Sequence, residues 1–248
     1  MSGAALTLEI CVDSLAGCRA ARAGGADRVE LCAGLIEGGT TPSAGLLEAA
    51  CGLGGIDVVA LIRPRAGDFL YDADELDTMR RDVEHAKAAG AAGVALGVLT
   101  AAGGVDADRI AALTELARPM QVCFHRAFDV TRDPHAALRA LTEVGVDRVL
   151  TSGQAPSAEQ GLALLAELVA AVGPKILVGG GVRPHNVRRI LDATGAREAH
   201  GTARGRRESA MQHRNPDVRM GASELPGEYE LRPTLEEHVG ALVAAARG

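Results

Sequence analysis

Two Glu-x-Cys dyads, Glu9-Ile10-Cys11 and Glu30-Leu31-Cys32, stand 21 residues apart in the chain. Each joins a carboxylate, which can accept or return a proton, to a thiol, which as thiolate binds soft metals. Arg63, His125 and the pair Glu198 and His200 follow farther along. Carboxylates, imidazoles and a guanidinium together are what acid–base chemistry on a small anionic molecule needs. Glu30 or Glu198 would be the base, His125 the acid or electrophile, and Arg63 the anion clamp, with Glu9 and His200 completing the set. The thiols of Cys11 and Cys32 instead suit Cu(I), with Cys123 or a histidine as a third ligand. Glu9, Glu30 and Glu198 also offer hard oxygen donors to a divalent ion.

These residues all lie on short apolar runs that alternate with Ala-rich helical stretches from end to end. Strands are expected at Leu8–Asp13, Arg28–Ala33, Asp57–Arg63, Gly93–Leu99, Gln121–Ala127, Asp147–Ser152, Lys175–Gly180 and Glu198–Thr202. Helices are expected at Leu15–Ala23, Glu75–Ala89, Ala107–Leu116, Pro134–Val144, Glu159–Ala171, Pro184–Asp192 and Leu235–Ala246, with a further start signal at Thr41-Pro42-Ser43. Ala23-Gly24-Gly25-Ala26-Asp27-Arg28-Val29 and Glu143-Val144-Gly145-Val146-Asp147-Arg148-Val149 repeat one pattern, a helix end followed by Asp-Arg-Val opening a strand. Repeated βα units, eight in number, predict a (β/α)₈ TIM barrel in a single domain over residues 1–248. An open doubly wound sheet is the alternative, and it would leave two edges to protect.

Side chains alternate across a strand, so the parity that packs Leu8, Ile10 and Val12 on the helices turns Glu9, Cys11 and Asp13 into the lumen. The same parity turns in Glu30, Cys32, Arg63, Cys123, His125, Glu198 and His200. Buried carboxylates need partners, for which Arg63, Arg65, His125 and His200 are the candidates. Neighbouring strands lie about 4.8 Å apart, close enough for Cys11 and Cys32 to share one Cu(I). The adjacent Glu9 and Glu30 would raise the thiol pKa values and oppose thiolate formation.

A second constellation is glycine-rich. Gly179, Gly180 and Gly181 close the seventh strand, and Thr202 and Ala203 follow the eighth. In parallel barrels this pair of loops often cradles a phosphate with backbone N–H groups, which predicts a site for a phosphate-bearing ligand. The stretch at about 204–233, rich in Arg, Glu, Gly and Pro, would be a loop over the barrel mouth.

The net charge of −6 and an aromatic content of 2% argue against a nucleic-acid surface. No apolar run approaches the roughly 20 residues of a membrane-spanning helix. The five cysteines are odd in number and lack CxxC spacing. With no export signal at Met1–Thr7, they read as reduced thiols of a cytoplasmic protein.

Six motifs carry a resemblance. Arg28-Val29-Glu30-Leu31-Cys32-Ala33, Glu37-Gly38-Gly39-Thr40-Thr41-Pro42-Ser43, Ile62-Arg63-Pro64-Arg65-Ala66-Gly67-Asp68-Phe69, Phe124-His125-Arg126-Ala127-Phe128-Asp129, Arg148-Val149-Leu150-Thr151-Ser152-Gly153 and Glu198-Ala199-His200 closely resemble the CutC family. The likeness runs from about Leu8 to the last helix and includes Met211, Arg214 and Asn215. It implies a TIM barrel, a role in copper homeostasis with Cu(I) binding in the cytoplasm, and a homo-oligomer, dimer or tetramer. Its recurrent polar residues map onto Glu9, Glu30, Arg63, Arg65, His125, Arg126, Glu198 and His200, and Cys11 and Cys32 match the positions proposed for copper. This chain departs from the family pattern with Gly201-Thr202 in place of the common Ser-Ser, and with a thiol at Cys123. A TIM-barrel enzyme acting on a small phosphorylated or anionic metabolite by Glu/His acid–base chemistry is the alternative to a copper protein.

Overall fold

The computed structural model describes residues 6–220 and 227–248. Eight parallel strands close on themselves: β1 (Thr7–Val12), β2 (Arg28–Leu31), β3 (Asp57–Leu61), β4 (Gly93–Leu96), β5 (Gln121–Phe124), β6 (Arg148–Thr151), β7 (Lys175–Val178) and β8 (Glu198–Gly201), with β8 paired to β1. The helices α1 (Leu15–Ala23), α2 (Ala44–Cys51), α3 (Ala73–Ala88), α4 (Ala107–Ala117), α5 (Pro134–Glu143), α6 (Leu162–Ala170), α7 (Val187–Thr194) and α8 (Glu236–Arg247) alternate with them. Closure leaves no sheet edge, which excludes the open doubly wound alternative.

Local chemistry sets the helix starts. Ser14, Ser43 and Asp133 accept hydrogen bonds from the first-turn N–H groups of α1, α2 and α5, and Asp72 and Glu75 form a reciprocal capping box on α3. Two helices begin three residues later than the sequence suggests. Gly161 packs so closely on Ser152 that a Cβ there would lie 2.0 Å from its carbonyl oxygen, and α6 starts only beyond that contact. Asn186 Oδ1 accepts from the Arg183 N–H at 2.8 Å, which turns the chain before α7.

All eight strands end one to three residues earlier than the apolar runs. The residues that leave the ladder, among them Arg63, Gly97, His125 and Ser152, build the carboxyl-terminal mouth. The segment after β8 runs out as a two-stranded antiparallel ribbon, β9 (Arg207–Glu208) with β10 (Glu230–Leu231), rooted by an Arg204–Thr234 bridge. Part of the expected 204–233 loop, residues 221–226, lies outside the described residues. Among the described residues no helix is long and apolar enough to cross a membrane.

The core has two layers. Leu8, Ile10, Val12, Val29 and Leu31 join the helix faces in the outer one, while Cys11, Cys32, Val59, Leu61, Ala95, Cys123, Leu150 and Leu177 fill the lumen. The lumen is therefore lopsided. Its β3–β7 side is mostly apolar, with Arg148 of β6 reaching across at the base, and its β8–β1–β2 side carries most of the charges.

Candidate functional site

The charges form one connected column. At the amino-terminal end, Glu198 Oε2 accepts from Arg148 Nε at 2.7 Å and from Arg28 NH2 at 3.0 Å, and its Oε1 lies 3.7 Å from Lys175 Nζ. Arg28 Nε also donates to Glu9. Glu9 Oε1 meets His200 Nδ1 at 2.7 Å, across a ladder position where the two residues are direct neighbours. Above this, His200 Nε2 lies 4.0 Å from Glu30 Oε2, to which Cys11 Sγ donates at 3.2 Å. Cys32 Sγ completes the column 3.7 Å from Cys11 Sγ.

Arg28 and Arg148 are thus the partners of the buried carboxylates, and the sequence reading missed them. Of the partners expected, only His200 contacts a carboxylate of the lumen. Parity could have supplied the arginines, because Arg28 shares a strand face with Glu30 and Arg148 with Leu150. The repeated Asp-Arg-Val drew attention as a strand opener instead. Glu198, expected in the lumen as a candidate base, lies at its amino-terminal end, bound by Arg28 and Arg148. Glu9 and Glu198 are neutralised by guanidinium groups, so a divalent ion held by Glu9, Glu30 and Glu198 is not what the geometry offers.

The column sets proton affinities. Burial works against the Glu9 carboxylate, but hydrogen bonding from His200 and the charge of Arg28 outweigh it and hold its pKa at about 2. Burial raises the pKa of Glu30. His200 is buried too, yet its bond to Glu9 and the charges of Glu30 and Glu9 raise its pKa. The contact with Cys32, burial and the Glu30 carboxylate push Cys11 well up, so of the two carboxylates expected to act on it Glu30 is the one that does.

Cys11, Glu30 and His200 place one ligand atom each within 4.8 Å of one another, the one such metal-capable group among the described residues. They open on a cavity of about 130 Å³ at the mouth, also lined by Leu61, Phe69 and His125. His125 sits across from the thiols, packed tilted on Phe69 with ring centroids 5.0 Å apart. Gly97 makes room for it. A Cβ there would lie 2.6 Å from His125 Cε1 and 2.9 Å from Ala127 Cβ. We therefore expect Gly97→Ala to cost about 1–3 kcal/mol in urea unfolding, the usual range for overpacking. A cost near zero would show that the imidazole has slack.

Arg63 is not the free anion clamp expected from the sequence. Its NH1 donates to the carbonyls of Glu37 and Gly39 and its NH2 to that of Gly67, which staples two mouth loops together. Arg65 lies outside the lumen, paired with Glu75 and Asp68. Gly179 is where a Cβ would lie 2.5 Å from Leu150 Cδ1, so close packing explains that glycine. Gly180 and Gly181 turn with φ of 93° and 74°, and Ala203 with φ 48°. The Arg126 guanidinium, held by Asp129 and Ser152, lies beside Gly180. With Thr202 these residues adjoin at the mouth, and packing and turn geometry account for the glycines.

The CutC family model matches residues 6–205. A CutC family protein of Chromobacterium violaceum is 51% identical over 95% of this chain and 96% of its own. The human copper homeostasis protein cutC homolog is 46% identical over 97% of this chain and 89% of its own. The crystal structure of the copper homeostasis protein CutC of Streptococcus agalactiae superposes with a TM-score of 0.75 at 33% identity, covering 79% of this chain and 98% of that one. Over the whole barrel, therefore, this chain is a member of the CutC family.

Proposed function

We propose that the chain binds Cu(I) in the barrel lumen, through the thiolates of Cys11 and Cys32 and Nε2 of His200, as its part in copper homeostasis. The observation that carries this reading is the pair of sulfurs 3.7 Å apart at the head of the column. With metal–sulfur bonds of about 2.3 Å, that spacing subtends roughly 107° at the ion, too bent for two-coordinate linear binding. A third donor is therefore required. His200 suits the part, because Glu9 engages Nδ1, fixes the ring and leaves Nε2 facing Glu30. The human and mouse relatives, both named copper homeostasis protein cutC homolog, support the same reading. All five cysteines are free, in keeping with a reducing compartment, the cytoplasm.

Copper K-edge absorption on protein loaded with one equivalent of Cu(I) tests the reading. Two sulfur neighbours and one nitrogen or oxygen are expected. A shell without sulfur, or preferential retention of Zn(II) when both ions compete, would overturn it.

A further inference from the structure

His125 holds the one buried imidazole that the copper site leaves unused. It is 4% exposed, and its Nδ1 accepts the Ala127 N–H at 3.2 Å. In the neutral ring the proton must then sit on Nε2. Burial, and next the positive charge of Arg63, lower its pKa to about 3, so the ring is neutral at ordinary pH. Among the described residues, Nε2 of this ring has no hydrogen-bond partner. A buried N–H left unpaired costs on the order of 1–3 kcal/mol, so such a group calls for a partner.

The surroundings select the partner. The ring lines the 130 Å³ cavity, whose walls beside it are Leu61, Phe69 and Leu150. At roughly 30 Å³ per water-sized group, that volume matches the bulk of about four waters, room for a molecule of the size of acetate or pyruvate. Leu35 and Thr202 line both this cavity and an outer basin of about 620 Å³ rimmed by Arg183, Arg204, Arg206 and Arg232. Glu230 and Asp13 pair with some of these arginines, which leaves the rim positive overall. A positive funnel draws in anions. The Glu30 carboxyl group, which lines the cavity, disfavours a doubly charged one.

We propose that the mouth cavity is a second ligand site, which binds a small organic monocarboxylate with one of its oxygens accepting a hydrogen bond from His125 Nε2–H and its short carbon chain against Leu61 and Phe69. The donor, His125, is not one of the proposed copper ligands, although Cys11 and His200 line the same cavity, so metal-free protein tests this site apart from copper.

Titrating pyruvate and acetate into metal-free, histidine-¹⁵N-labelled protein tests the proposal. Saturable shifts of the His125 Nε2 signal are expected with either carboxylate and not with inorganic phosphate. His125→Phe, which removes the Nε2 donor together with the Nδ1 acceptor of the Ala127 N–H, is expected to melt somewhat lower, to remain folded by circular dichroism, and to bind pyruvate about tenfold more weakly, the worth of one such hydrogen bond. An Nε2 signal unmoved by both carboxylates overturns the proposal without use of any variant. Phosphate as the better ligand, or unchanged pyruvate affinity in a folded His125→Phe protein, overturns it as well.

Discussion

Arg28→Met is expected to lower unfolding free energy by about 3–5 kcal/mol, the range for removing one member of a buried ion pair. Arg28 is the shared partner of Glu9 and Glu198, and all three side chains are almost wholly enclosed. Without it, Glu9 keeps only His200, and Glu198 keeps Arg148 and the exposed Lys175. Methionine fills most of the volume, so the loss would report the stranded charges rather than a cavity. Urea unfolding at neutral pH measures it. A loss below about 1 kcal/mol would mean that the column is solvated or rearranges freely.

The same network fixes the acid limb of stability. Glu9 has a folded pKa of about 2 against 4.5 for the free group. Its contribution is present in full above about 4.5 and is lost as pH falls toward 2. His125, held at about 3 against 6.5, acts in the same direction, because the unfolded chain binds its proton first as pH falls below 6.5. His200 runs the other way. Its raised pKa favours the folded state below 6.5, a contribution lost as pH rises through the folded value.

The fold was legible because closure of eight βα units demands a strict alternation that composition cannot hide. Leu8, Ile10 and Val12 announce one face of β1, and Glu9 and Cys11 follow on the other. What parity could not reveal is height along the barrel axis. Glu198 and His200 share a lumenal face, yet Glu198 opens β8 at the base and His200 reaches the mouth. Nor could it show that an arginine just beyond a strand folds back onto backbone carbonyls, as Arg63 does. The unpaired Nε2 of His125 depends on a turn at Ala127 that no spacing rule describes.

Cys11→Ser and Cys32→Ser are each expected to weaken Cu(I) binding by at least two orders of magnitude, about 3 kcal/mol. Serine offers a hard, neutral oxygen in the same place, so it removes a soft ligand with little change in shape. The wild-type site is itself held back. Cys11 donates to Glu30 and lies against Cys32, and a proton must leave this group before the ion can bind. Affinity is therefore expected to rise with pH, and Glu30→Gln, which removes the carboxylate that raises the Cys11 pKa, to strengthen binding. Competition against a Cu(I) chelator of known affinity measures all three variants on one scale. If the serine variants hold copper as wild type does, the two sulfurs are core packing between β1 and β2. If only Cys11→Ser loses it, the third donor carries more of the binding than Cys32, and the bent dithiolate is the wrong description of the site.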